Sequence, residues 1–177
     1  MNYKDRLKSW LEQARQTSEG MLASFKTPQD WTHQVHPNAN HALWFAGHMS
    51  LTDNFIVGVV APDKQTEPPA GFKEKFGMGS KPSSNPADYP PAEDVLGFLR
   101  DRRQALMAAL DRLTENDLNR SLPKGAPDFI KDYADAFQMA IWHEGIHTGQ
   151  LSIARRALGH APLMGGGDGP RDLDAGS

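Results

Sequence analysis

The chain has 177 residues, 38% of them hydrophobic and 23% charged, with a formal charge of −3; that suffices for one modest core and is short for two comfortable domains. A slightly acidic balance without a basic stripe argues against a nucleic-acid partner, because phosphate-binding surfaces carry a cationic surplus. The lack of cysteine excludes disulfides, thiolate metal sites and cysteine nucleophiles from this chain, so any metal must take nitrogen or oxygen ligands.

Hydrophobic periodicity predicts four helices and no sustained strand. The first spans about Tyr3 to Phe25, with Leu7, Trp10, Leu11, Ala14, Met21 and Phe25 at three- and four-residue steps, and Thr27-Pro28 ends it. The second starts at a cap on Asn38 or Asn40 and ends near Val60, with an inward stripe of His41, Trp44, Phe45, His48, Leu51, Phe55 and Val59. The connection from Pro62 to Pro91 is rich in Pro, Gly and Ser. At about 30 residues it is too long for a structureless loop and should cross the bundle or cover a site.

The third helix runs from Ala92 to about Thr114 on Val95, Leu99, Leu106, Leu110 and Leu113; Arg100, Arg102 and Arg103, interleaved with acids, read as its solvated face. The last opens between Asp128 and Asp132 and closes at Gly159, a natural left-handed cap. The expected architecture is an all-α four-helix bundle over residues 1–163 with a long crossover between the second and third helices, followed by a flexible Gly/Asp-rich tail at 164–177. The N-terminal MNYKDRLKSW has no apolar core, and no run approaches the roughly 18 apolar residues of a membrane span. A cytoplasmic protein with no membrane partner is the expectation.

Of seven histidines, His143 and His147 are the most informative. Four residues apart, they share one helix face and can point at a common atom. Spacing alone is weak, but both interrupt the inward stripe Ala136, Ala140, Leu151, Ala154 and Leu158, and His48 interrupts the stripe of the second helix. Buried imidazoles need partners, and three on two facing helices most economically share a divalent cation. Three ligands leave positions open for water or a small-molecule substrate. The plain alternatives are a satisfied core histidine at 48 and a non-metal pair at 143 and 147. His41, about 10.5 Å along the axis from His48, is too far to ligate the same ion; a rim or surface role is expected. His33, His36 and His160 read as solvated. Gln150 could hydrogen-bond a ligand of the site or line the bundle, while Glu144 and Asp53 point away from their neighbouring histidines. Trp44 and Trp142 read as packing residues.

His143-Glu144-Gly145-Ile146-His147 matches the H-E-x-x-H of zinc proteases, in which the glutamate is the base. Three features argue against that reading. Gln150 and Ile153 stand where the extended motif has Gly and His, no glutamate follows His147, and no strand precedes the helix to align a peptide.

The same residues carry a resemblance to the DinB superfamily of four-helix-bundle proteins. It lies in Gly47-His48-Met49, in Phe76-Gly77-Met78-Gly79-Ser80, most specifically in the H-x-x-x-H-x-G-Q-[LI] pattern from His143 to Leu151, and in Arg155-Arg156-Ala157-Leu158-Gly159, across roughly residues 3 to 164. The resemblance implies metal ligation by His48, His143 and His147, with zinc, nickel, iron or manganese as the divalent ion, and a homodimer. It further implies a metal-dependent enzyme, with thiol S-transferases that join small cellular thiols such as bacillithiol to electrophiles among the relatives, and a mycothiol-dependent isomerase. A thiol S-transferase is therefore the leading expectation. A metal-dependent hydrolase and a non-enzymatic, metal-stabilised helical interaction module are the alternatives, and imidazoles alone do not choose the metal.

Overall fold

Side-chain caps mark where the helices begin. In the computed structural model, which describes residues 1–163, Asn2 accepts the Asp5 amide to open α1 (Tyr3–Leu22), and Thr27 and Asp30 cap the single-turn α2 (Pro28–Trp31) reciprocally. There follow α3 (Ala42–Val60), α4 (Phe72–Phe76), α5 (Ala92–Arg112) and α6 (Tyr133–Ala157), the last opened by Asp132 and followed by Gly159 at φ 88°. The architecture is the expected all-α bundle of four long helices, α3 lying against α5 and α6, and α1 against α6. Among the described residues, extended pairing is confined to one isolated bridge, Ser121 to Asp132, and no helix is long and apolar enough to cross a membrane. The expected tail at 164–177 lies outside the described residues.

Neither Asn38 nor Asn40 caps α3. His41 does, its Nδ1 accepting the Trp44 amide at 3.0 Å. Contrary to the expected rim or surface position, its ring is only 1% exposed and meets Tyr89 edge-on. Burial pushes the imidazole down to about 4, against a smaller opposing pull from the backbone of Ser83 and Trp31. A histidine held neutral in the fold but protonated near 6.5 when unfolded contributes stability that is complete above pH 6.5. That stability drains away as pH falls towards 4. Between pH 8 and 5 this should amount to about 2 kcal/mol. His41→Asn keeps a capping side chain and should flatten that part of the pH profile in urea unfolding; an unchanged slope would contradict the assignment.

The core is divided. One apolar layer gathers Met21, Phe25, Trp44, Phe45, Met49, Phe76, Leu99 and Leu151; the other gathers Leu7, Leu11, Ile56, Leu106, Leu110 and Phe137. Between them lies a charged layer with one contributor from each long helix: Arg15, Asp53, Arg103 and Glu144, all buried. Arg103 grips Asp53 with two hydrogen bonds (2.9 and 3.0 Å) and reaches Glu144 at 2.5 Å; Arg15 bridges Glu144 at 2.8 Å and Asp53 at 3.0 Å. Ser18 donates to Glu144 at 2.6 Å, and the remaining guanidinium donors meet the Leu11 and Leu99 carbonyls. Two positive and two negative charges thus cancel with their hydrogen bonds made, the condition under which burial is tolerable. The solvated arginine face expected for α5 holds only for Arg100. Arg102 is also buried, holding the Lys64 carbonyl and Asn54.

The long connection after α3 does cover a site. Its single helical turn α4 buries Phe72 and Phe76 against α3, and Phe76 stacks on Tyr89 with centroids 5.6 Å apart. A five-residue helix is too short to register as periodicity.

Candidate metal centre

Three imidazoles converge where α3 faces α6. His48 Nε2 lies 3.4 Å from His143 Nε2, which lies 3.1 Å from His147 Nε2. One ligating nitrogen of each ring falls within 4.8 Å of the others. Two nitrogens bound at 2.0–2.1 Å to one ion sit about 3.3 Å apart at a tetrahedral angle and about 2.9 Å apart at a right angle. The 3.1 Å separation falls in that window and the 3.4 Å one just beyond its upper edge. Each pair of rings meets at a steep angle, between 71° and 79°, as rings do when their edges face one point.

The other nitrogen of each ring decides the tautomer. His48 Nδ1 is 2.8 Å from the Phe76 carbonyl, which can only accept, so the proton sits on Nδ1. Thr52 Oγ1 donates to the His48 carbonyl at 3.0 Å and is left to accept from His143 Nδ1 at 3.3 Å. His147 Nδ1 donates to Gln150 Oε1 at 3.0 Å, and that amide is steadied by Asn40 Nδ2 at 3.1 Å. All three Nε2 lone pairs are therefore aimed at one another. Burial pushes His48 down to about 4, the Phe76 carbonyl opposing and the other two rings adding to the fall. Burial and His147 lower His143 as well, against a smaller pull from Glu144. Neutral imidazoles with converging lone pairs repel unless an electropositive centre lies between them, so the donor set fits a divalent cation.

Packing fixes the rings further. Trp44 stacks on His48 at 4.3 Å and 17°, while its indole N–H donates to Ser80 Oγ at 2.7 Å. Gly47 lets the Phe76 ring lie directly on α3, where any Cβ would overlap it. Gly47→Ala should displace α4 and with it the carbonyl that orients His48. We expect a loss of about 1–3 kcal/mol in stability and a roughly 10–100-fold fall in metal affinity, measured by denaturation and competitive metal titration. Unchanged metal affinity in a folded Gly47→Ala variant would contradict the role given to Phe76.

The structure places Gln150 beside His147, accepting from its Nδ1, and it engages the fully buried Glu144 carboxylate with Arg15, Arg103 and Ser18 in the charged layer. The H-E-x-x-H glutamate has no access to a reacting atom. His33, His36 and His160, partly or fully exposed, do not join the cluster. Sequence reasoning missed Thr52, although its place four residues after His48 was a usable signal. It also missed Asn40 as a partner of Gln150, and the Phe76 carbonyl, which as a backbone group leaves no trace in composition.

A cavity of about 380 Å³ opens beside His48 and His143, walled by Leu51, Phe55, Met78, Phe129 and Trp142. No acidic or basic side chain other than the histidines lines it. Phe55, expected inside, is 39% exposed, and Trp142, expected to pack, is 65% exposed; both face this cavity instead. A model of the DinB superfamily matches residues 11–151, a span that contains all three histidines. A search among curated proteins finds no match. The chain belongs to the DinB superfamily.

Proposed function

We propose that this member of the DinB superfamily is a divalent-metal-dependent enzyme that joins a small-molecule thiol to an electrophile, with Nε2 of His48, His143 and His147 as the metal ligands. The observation that carries the reading is the chemistry missing from the cavity wall. Among the described residues that line it, none is a carboxylate, lysine, tyrosine or serine, and the chain has no cysteine. The one hydroxyl there, Thr52 Oγ1, is engaged with the His48 carbonyl and His143 Nδ1, so on this reading the substrate brings its own nucleophile. His48, His143 and His147 would hold a divalent ion whose Lewis acidity would lower the pKa of a substrate thiol towards neutral pH.

The chain's own residues do the rest. Phe76, Thr52 and Gln150 keep each Nε2 free of a proton and aimed at the ion. Leu51, Phe55 and Trp142 offer an apolar wall on the side from which the electrophile would approach. Hydrolysis of an ester or amide is the second reading, since a bound ion would acidify water as well; protonating the leaving group would then call for a general acid, and Glu144 is not available for that role. Zinc, nickel and iron all accept three imidazoles.

The test is titration of cobalt-loaded protein with 2-mercaptoethanol. We expect a sulfur-to-cobalt charge-transfer band that saturates at one thiol per chain and is absent from His143→Ala. Loaded protein that binds no thiol, or that turns over a panel of esters, amides and phosphates without one, would contradict the transferase reading.

A further inference from the structure

We infer that the protein carries a binding groove for an elongated, uncharged apolar ligand, running from the histidine cluster along α6 past Phe129 and Trp142. The 380 Å³ cavity beside His48 and His143 does not end at its own far wall. Phe129, Met139 and Trp142 also line a second cavity of about 560 Å³, which continues to Trp10 on α1 and ends at Gln138 and Asp135. Three side chains are thus common to the walls of two cavities, each of small-molecule size. Two of the three, Phe129 at 68% and Trp142 at 65%, are more exposed than is usual for apolar groups on a folded surface. A flat docking face would need no such concavity, and only a ligand that enters the first cavity can reach both the histidines and Trp10.

The wall chemistry sets the ligand class. Of the residues lining the two cavities only Asp135 is an acid and none is a lysine or arginine. Asp135 is held in place by accepting the Lys131 amide at 3.0 Å. Away from the histidines, a ligand with an anionic end would lose its hydration, find no lysine or arginine in the lining, and meet that carboxylate. An aryl or alkyl group without negative charge loses nothing on entry and can stack on Trp142 and Phe129. On the transferase reading this ligand is the electrophile, or its apolar part. That clause rests on the proposed function; the groove itself does not.

The experiment separates the two. Full-length protein, first stripped of metal and then zinc-loaded, is titrated with N-phenyl-1-naphthylamine, an uncharged aryl probe, and with the anionic 1-anilinonaphthalene-8-sulfonate. We expect saturable binding of the uncharged probe at one per chain in both states, with the anionic probe at least roughly tenfold weaker in the metal-free protein, where no bound cation can attract it. The double variant Phe129→Ala/Trp142→Ala, altered only at exposed positions, should lose about tenfold or more in affinity for the uncharged probe while keeping its metal uptake. Absence of saturable binding, equal or tighter binding of the anionic probe to the metal-free protein, or a double variant that binds as well as the parent would overturn the inference. So would a concentration-dependent doubling of mass abolished by the same two substitutions, which would give the groove to a second copy of the chain. Failure of the metal reading would appear separately, as a protein that binds the probe but takes up no metal.

Discussion

Arg103→Leu should destabilise the protein by about 3–5 kcal/mol, because it leaves two buried carboxylates facing a single guanidinium. Burial alone would discourage the Arg103 charge, but Asp53 and Glu144 outweigh it and hold the guanidinium more firmly protonated than usual. Arg103 and Arg15 likewise keep Glu144 ionised against its burial, below the usual glutamate range. Removing Arg103 strips Asp53 of both its bidentate bonds and Glu144 of its shortest one. For a domain of this size the melting temperature should fall by roughly 10 °C or more. Arg100→Leu, at an exposed position on the same helix, should stay within about 0.5 kcal/mol. Pairing Arg103→Leu with Asp53→Leu should cost less than the sum of the two changes, since the second removes a charge the first has orphaned. Thermal and urea denaturation of the four proteins check this; a loss under about 1 kcal/mol for Arg103→Leu would contradict it. The layer matters for the site because Glu144 is adjacent to His143. Tying Glu144 to α1 and α5 fixes the rotation of α6 that turns His143 and His147 towards His48.

The second large effect concerns the cluster itself. His143 is the central member, with the other two rings on either side of it. His143→Ala should lower affinity for a divalent ion by at least roughly 100-fold, since deleting a ligand should cost no less than the loss of an orienting partner. With metal at one hundred times its dissociation constant, the parent should gain about 2.7 kcal/mol in unfolding free energy, while the variant at the same concentration gains almost nothing. Without metal the two should differ by less than about 1 kcal/mol, because His143 is only partly buried and its removal relieves lone-pair repulsion. Denaturation with and without zinc reads both. A variant destabilised equally in both conditions would mean that His143 packs rather than ligates.

The fold was largely legible because long amphipathic helices announce themselves: α1, α3, α5 and α6 lie close to where periodicity and caps placed them. The site was legible for a related reason. His48, His143 and His147 each break an apolar stripe, and a polar residue on a buried face demands an explanation. What escaped notice has physical causes too. Arg103 reads as solvated and Asp53 only as pointing away from His48, and nothing along one helix reveals that charges on three others will cancel them. His41 caps α3 because its side chain reaches the Trp44 amide, a role that asparagine at 38 or 40 was better suited to by propensity. Trp142 and Phe55 were assigned to the interior on hydrophobicity, yet the groove needs them at the surface. Whether an apolar residue lines a core or a cavity depends on what faces it across space, and periodicity does not carry that information.

X-ray absorption on protein loaded with one equivalent of zinc bears most directly on the proposal that three imidazoles hold a single ion. The account predicts a fine structure fitted by three histidine nitrogens at about 2.0–2.1 Å plus one lighter shell open to exchange, with the histidine scattering reduced in His48→Ala and in His147→Ala. A spectrum without imidazole back-scattering, or one unchanged by either substitution, would contradict it.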